Sequence, residues 1–353
     1  MENMSTIDHK DLSLSLDTER MISVLDRFPD QCASAIERGE GFKLFPKQRI
    51  DKVVVCGMGG SAVAGDLVKR FSRVPFFTNR SYIPPVFADR YTLLVAISYS
   101  GNTAETLSSL ARGIEAGASI LVITSGGQLE RISNAQDLPF LKIPSGYQPR
   151  AAMGHLTLPL FATLSRVGLL REIGPWDALL AGLAQVRDRC TLSIPTDENP
   201  AKRLAETLTG RVPVVYGTAD NTDVVAMRFK TQFNENAKQP AFWNVFPELN
   251  HNELVALVRA DLLPNQHVLL LENAYDLPKN RDRMEITTTL LEKSTVPFTR
   301  VGADGESELA QVFSQIYFGD YVSYYLAICN GVDPTPVAPI EDFKRALAER
   351  DDH

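Results

Sequence analysis

The sequence predicts an α/β protein built from two doubly wound parallel sheets. Short apolar runs rich in β-branched residues recur at 52–57, 91–98 and 118–125. They are apolar throughout rather than alternating, which is how strands buried on both faces read. Each is followed by glycines or small polar residues, and at least the first two then open a helical pattern, as in a sheet covered by helices on both sides. The same rhythm returns more faintly after residue 200, which points to an internal duplication.

Taken in order, residues 1–18 read as a polar arm. Over 17–38, Met21, Leu25, Phe28, Cys32 and Ile36 recur at three and four residues, the spacing of one amphipathic helix. The first sheet then takes strands at 52–57, 91–98, 118–125 and 138–143, with helices at 61–70 and 103–115. Residues 150–190 are helical and apolar and bridge the halves. The stretch 195–200 is the linker candidate, with Asn199 placed to cap the next helix. The second half offers strands at 212–217, 240–246, 267–271 and 296–301. Its helices fall at 222–238, 281–293, 307–329 and 341–350, the last reached through Pro334, Pro336 and Pro339. The expected division is an N-terminal arm and helix (1–44), a first domain with bridging helices (45–190) and a second domain with a C-terminal helix (200–353).

Two domains suit 353 residues of which 44% are hydrophobic. The formal net charge of −7 argues against a nucleic-acid or membrane-surface partner, which would favour a basic face. No run of about 18 apolar residues predicts a transmembrane helix. The first 20 residues lack an apolar signal-peptide core, and a cytoplasmic location is expected. Cys32, Cys56, Cys190 and Cys329 are dispersed in apolar runs. Without a C-x-x-C or Cys/His cluster they read as buried reduced thiols, and no metal is expected.

The chemistry-bearing residues sit where strands end. Gly57, Met58, Gly59, Gly60 and Ser61 follow the first strand and open a helix. Glycines let a backbone approach a ligand closely, and a helix start offers unpaired N–H groups to an anion. A plain tight turn explains the same residues. A dinucleotide site is a third reading, since Ala62 stands where a third glycine would, but no acidic residue ends the next strand. The second loop carries Ser98, Ser100 and Thr103 within six residues. Capping by Ser100 or Asn102 explains one polar residue and not a dense run, which favours a phosphate monoester. Both loops would meet at the carboxyl edge of the sheet. Thr124, Ser125, Gly126 and Gly127 could close the same pocket or form a simple turn.

Arg150 ends a rigid Pro- and Gly-containing stretch, a cation for phosphate or an oxyanion, or a surface residue. Glu235 and His251 lie 16 positions apart, beyond helical reach, so only the fold or a second subunit could unite them. Composition alone assigns them no role: Glu235 reads as an exposed helix residue and His251 as a cap or loop histidine.

The loops at 57–66 and 98–106 resemble the two phosphate-binding segments of the sugar isomerase (SIS) domain. PSGYQPRAA at 144–152, NENAK at 234–238 and PELNHNE at 247–253 resemble more narrowly the bifunctional phosphoglucose/phosphomannose isomerases. The resemblance spans most of the chain in order and spacing. It implies two SIS-type, flavodoxin-like domains with a sugar-phosphate site between them and across a homodimer. It implies that Ser61, Ser98, Ser100, Thr103 and the Gly60 backbone hold the phosphate and that Glu235 is the catalytic base. His251, from the partner, would open the sugar ring with help from Lys344, and Arg150 would face the reacting carbons. Thr335 is the candidate for selecting between C2 epimers. No cofactor is implied.

These residue types suit the reaction. Interconverting an aldose and a ketose moves one proton between adjacent carbons through an enediol(ate). One carboxylate can take and return it, a fixed cation steadies the developing oxyanion, and an acid–base pair opens the ring. A non-catalytic SIS sensor would keep the hydroxyl loops without needing Glu235 or His251. An isomerase of another sugar phosphate would keep similar loops, and a nucleotide-binding oxidoreductase has the least support.

Overall fold

The computed structural model describes residues 6–8, 10–46, 48–259, 261 and 264–351. The chain divides into two compact units. The first comprises Arg27–Ala184 and Gly305–Phe313, the second Met1–Asp26, Gln185–Asp304 and Ser314–His353.

The chain opens with α1 (Lys10–Leu16) and α2 (Met21–Asp26), both in the second unit. The expected polar arm is therefore largely helical, although its residues 1–5 and 9 lie outside the described residues. It is anchored rather than loose: Ile7 is fully buried, and Asp8 receives the Lys202 ammonium at 2.8 Å and the Thr196 N–H at 3.1 Å. Asp17 starts α2 by accepting the N–H groups of Met21 (2.7 Å) and Ile22 (2.9 Å), a carboxylate cap. α3 (Phe28–Gly41) follows after Arg27. The single helix expected over 17–38 is thus two. Pro29, in the first turn of α3, has no N–H for the carbonyl of Leu25 and crowds it, which ends one helix and suits the start of the next.

The first unit continues with β1 (Lys52–Cys56), α4 (Gly60–Lys69), β2 (Phe76–Asn79), β3 (Thr92–Ile97), α5 (Ala104–Glu115), β4 (Ser119–Thr124), α6 (Gly127–Ala135), β5 (Phe140–Lys142), α7 (Met153–Arg166) and α8 (Trp176–Cys190), whose last residues belong to the second unit. Its strands are all parallel in the order β2-β1-β3-β4-β5. β3 and β4 are buried along their whole lengths, as their unbroken apolar runs require. Val54 pairs with Leu94, so Val55 faces the other side. Gly65 of α4 lies against Val55 and Gly113 of α5 against Leu94, so helices cover both faces. The sequence reading missed β2 and α6. β2 is a four-residue edge strand too short for a period, and α6 buries only Leu129 and Ser133.

α3 packs on α7 through Gly39, where a Cβ would come within 2.7 Å of Ala162 Cβ and Pro159 Cα. That is closer than packed atoms approach, and the Pro159 backbone cannot step aside. Gly39→Ala is expected to destabilise the protein by roughly 1–3 kcal/mol through overpacking, read as a lower urea midpoint with an unchanged slope. A midpoint at or above wild type would contradict the tight contact.

The second unit adds α9 (Pro200–Leu208), β6 (Val212–Thr218), α10 (Asp223–Glu235), β7 (Phe242–Phe246), α11 (Leu254–Leu257), β8 (Gln266–Leu271), α12 (Pro278–Lys293), β9 (Phe298–Val301), α13 (Glu308–Cys329) and α14 (Ala338–Asp351). The first residues of α13 belong to the first unit. Asn199 caps α9, accepting from Ala201 N (3.0 Å) and Lys202 N (3.1 Å). The strands are parallel in the order β7-β6-β8-β9. In chain order that is the winding of β2-β1-β3-β4, which fits the duplication. On one face Val214, Tyr216, Val268 and Leu270 pack with Met284 and Leu291 of α12. α10 and α13 meet through polar groups as well: Arg228 pairs with Asp320 at 2.7 Å, both nearly fully buried, and Gln232 donates to the same carboxylate at 3.0 Å.

Candidate active site

In the first unit the strand order reverses direction between β1 and β3, and such a sheet opens a crevice at the carboxyl ends of those two strands. The two candidate loops leave from there. The first turns at Gly59, whose φ of 51° suits glycine, and α4 starts on it with no side chain capping its N-terminus. Ser61 is buried in the first turn.

The second loop does not cap its own helix. Thr103 occupies the N-cap position of α5 without bonding a helix N–H. Its hydroxyl instead lies 2.8 Å from that of Ser98, which also accepts the Gly101 N–H at 3.1 Å. Asn102 turns away and accepts the Gln128 N–H at 3.0 Å, serving α6. The capping role weighed for Ser100 or Asn102 is therefore corrected: Ser100 accepts the Asn102 N–H at 3.3 Å and is exposed. The start of α5 is left to offer N–H groups to an anion. The third loop locks onto the second. A Cβ on Gly101 would sit 1.8 Å from the Gly126 carbonyl oxygen, and one on Gly127 2.2 Å from that of Ser100.

Arg150 lies in a single tight turn, Pro149–Ala151, and is 5% exposed. A Cβ on Gly60 would be 3.4 Å from the Pro149 oxygen and 3.8 Å from Arg150 Cα, so this turn borders the first loop. Two residues that the sequence reading passed over hold it. Gln31 of α3 donates to the Ala151 carbonyl at 3.0 Å and accepts the Gly154 N–H at 2.9 Å. Tyr99 Oη accepts the Tyr147 N–H at 2.7 Å, tying the stretch to the second loop.

His155, next on α7, packs edge-on against Tyr147 at 5.4 Å. Burial, aided by the nearby Arg38 charge, pushes its pKa down to about 4. Nδ1 has no hydrogen-bond partner among the described residues. The unfolded chain takes up this proton near pH 6.5 and the folded chain only near 4, so stability falls as pH drops through that window. His155→Phe is expected to leave stability at pH 7 within about 1 kcal/mol and to blunt the loss between pH 6.5 and 4 by roughly 1–3 kcal/mol. Urea melts at both ends of the window test this, and an unchanged acid loss would refute it.

In the second unit Glu235 is the last residue of α10. That end is held in place: Asn236 bonds the Ser323 hydroxyl at 2.9 Å, and Asn330 bonds the Ala237 carbonyl at 3.0 Å. Lys238, in the left-handed region at φ 54°, donates to the carbonyls of Glu235 (2.8 Å), Asn236 (3.3 Å) and Pro334 (3.2 Å). The ammonium thereby suits a helix C-terminus and brings the Glu235 turn beside the connector bearing Thr335, whose side chain is buried. Lys238 closes the NENAK motif, but no local spacing announced these contacts, because its partners are backbone carbonyls, one of them 96 positions away.

His251 ends a short turn, Glu248–His251, after β7 and is exposed. Glu253 anchors this segment by accepting from the Tyr216 hydroxyl and the Asn244 amide. Glu235 and His251 are not brought together within one chain. α10 runs back from the carboxyl end of β6, so Glu235 lies at the amino edge of the sheet and His251 at its carboxyl edge. A strand of β7's length separates those edges by about 15 Å. Lys344 is exposed on α14. Ser61, Ser98, Ser100, Thr103, Gly60 and Arg150 lie in the first unit, and Glu235, His251, Thr335 and Lys344 in the second.

Among the described residues no cluster of three or more His, Cys, Asp or Glu is placed to hold a metal ion, and no helix is long and apolar enough to cross a membrane. The Cys56 and Cys190 thiols are pushed up by burial to about 11 and about 12.

Comparison with known proteins gives the class first. Residues 197–347 match the bacterial phospho-glucose isomerase C-terminal SIS domain, and the switch-point loops of the first unit suit such a protein. A hypothetical protein of known crystal structure from Thermus thermophilus shares the fold, with a TM-score of 0.74 over 97% of this chain and 94% of its own at 16% identity. A bifunctional phosphoglucose/phosphomannose isomerase from Caldicellulosiruptor bescii is 39% identical over 336 residues, 93% of this chain and 99% of that one. The chain belongs to the bifunctional phosphoglucose/phosphomannose isomerase family. A D-glucosamine-6-phosphate 4-epimerase from Sulfolobus acidocaldarius is 36% identical over 66% of this chain and 72% of its own.

Proposed function

We propose that this protein interconverts glucose 6-phosphate and mannose 6-phosphate with fructose 6-phosphate through an enediol(ate), without a metal. The observation that carries this reading is the pair of switch-point loops whose helices start uncapped beside the Ser98 and Thr103 hydroxyls. Uncapped N–H groups and hydroxyls are what a phosphate monoester needs. Ser61, Ser98, Ser100, Thr103 and the Gly60 N–H hold the phosphate, remote from the reacting carbons, and orient the open chain.

Glu235 moves the proton between C1 and C2, and the Arg150 guanidinium steadies the oxygen that becomes negative. His251 protonates the ring oxygen with help from Lys344. The planar enediolate loses the C2 configuration, so both epimers can share one site, with Thr335 setting their ratio. The separation of Glu235 from His251 supports a homodimer in which His251 is supplied by the partner subunit. Sugar-phosphate substrates and four thiols outside any disulfide fit a reducing, cytoplasmic setting.

The 4-epimerase relative supports a second reading, in which the same clamp presents C4 of an amino sugar. The deciding experiment supplies glucose 6-phosphate, mannose 6-phosphate and glucosamine 6-phosphate separately, with EDTA present. Fructose 6-phosphate from both hexose phosphates supports the proposal. Activity that EDTA abolishes removes metal independence, and epimerisation of the amino sugar alone installs the second reading.

A further inference from the structure

The second unit has its own switch point, between β6 and β8. Cys56 pairs with Ala96 in the first sheet and Tyr216 with Leu270 in the second, so Gly57 and Ile97 correspond to Gly217 and Leu271. The loops that follow β3 and β8 then have equal length, 98–103 before α5 and 272–277 before α12. Position by position, Ser98, Ser100 and Thr103 give way to Glu272, Ala274 and Leu277, so none of the three serine and threonine hydroxyls has a counterpart. At the place of Asn102 stands Asp276.

Asp276 is 4% exposed. Its carboxylate accepts the Thr218 hydroxyl, the Asn221 amide at 2.6 Å and the Asn273 N–H at 3.1 Å. Thr218 and Asn221 come from the β6 side of the crevice and Asn273 from the β8 side. Donors from both strand ends therefore converge on one internal anion, as they would on a phosphate. Three donors satisfy a buried carboxylate, whereas an incoming phosphate would meet a fixed negative charge and donors already engaged.

We propose that Asp276 fills, in the second unit, the place the substrate phosphate takes in the first, so that each chain binds one sugar phosphate and not two. This rests on the phosphate reading of Ser98 and Thr103. The charge completes the donor set of a duplicated anion site and closes it.

The test is thermal unfolding of the full chain in inorganic phosphate and in chloride of equal ionic strength. Ser98→Ala with Thr103→Ala silences the first site and serves as parent. In that parent, Asp276→Ala is expected to lower Tm by roughly 5 °C in chloride. Phosphate should restore at least half of the loss while leaving the parent unmoved. Asp276→Ser, which keeps a small polar group, serves where Asp276→Ala gives no folded protein. A loss that phosphate restores in neither variant would make Asp276 an ordinary structural contact and overturn the proposal, as would the absence of any loss. The two readings fail separately. If phosphate does not stabilise the wild type, the first-site reading fails, and the Asp276 variants are still decided by their own response.

Discussion

Replacing Glu235 by Gln is expected to lower kcat on glucose 6-phosphate and mannose 6-phosphate alike, by about 10³-fold, with KM changed little. The amide has nearly the shape of the carboxylate and cannot take a carbon-bound proton, and a positioned base contributes about 10²–10⁴ in rate. The loops proposed to hold the phosphate belong to the other unit, so ground-state binding should persist and the loss should fall on the chemical step. Glu235 ends a helix that bonds α13 through Arg228 and Gln232, and Asn236 just beyond it bonds Ser323, so the turn should survive the change. Thermal unfolding of the variant guards against a folding defect. Steady-state kinetics on both epimers settle the point, and retention of more than about a tenth of the wild-type kcat would remove Glu235 as the base.

Mixing two nearly inactive proteins should recover activity. Glu235→Gln and His251→Ala subunits, unfolded or dissociated together and reassembled, are expected to recover about a quarter of the wild-type rate. In a heterodimer one site would combine the intact Glu235 of one subunit with the intact His251 of the other, and the second site would have neither. Half of randomly paired dimers are heterodimers. The geometry behind this is the opposite placement of the two residues at the amino and carboxyl edges of one sheet, with β7 between them. If demonstrated heterodimers show no recovery, His251 acts within its own chain or not at all.

Much of the fold was legible because its signals are local. β1, β3, β4, β6 and β8 are short runs rich in β-branched and aliphatic residues, the first three followed by glycine or serine, and burial on both faces leaves such runs no alternation to hide behind. The loops at 57–61 and 98–103 were legible for the same reason, since a tight strand-to-helix turn needs glycine and small polar residues within a few positions. β2 and α6 were missed because an edge strand and a shallow helix carry little apolar surface. The helix over 17–38 was misjudged because its apolar spacing continues across Pro29, and periodicity does not register a missing N–H.

By itself the sequence determined the class of fold, the places where strands hand over to glycine- and hydroxyl-rich loops, and the motifs that resemble the family. Each of these is written within about ten consecutive residues. Only the tertiary structure decided that Asn102 serves α6 instead of its own helix, that Gln31 and Tyr99 hold the Arg150 stretch, and that Lys238 ties the Glu235 turn to Pro334. It alone placed Glu235 and His251 at opposite edges of a sheet and gathered Thr218, Asn221 and Asn273 around the Asp276 carboxylate. The reason is physical: hydrogen bonds between groups tens of residues apart form only after the strands set the register, and no spacing along the chain records them.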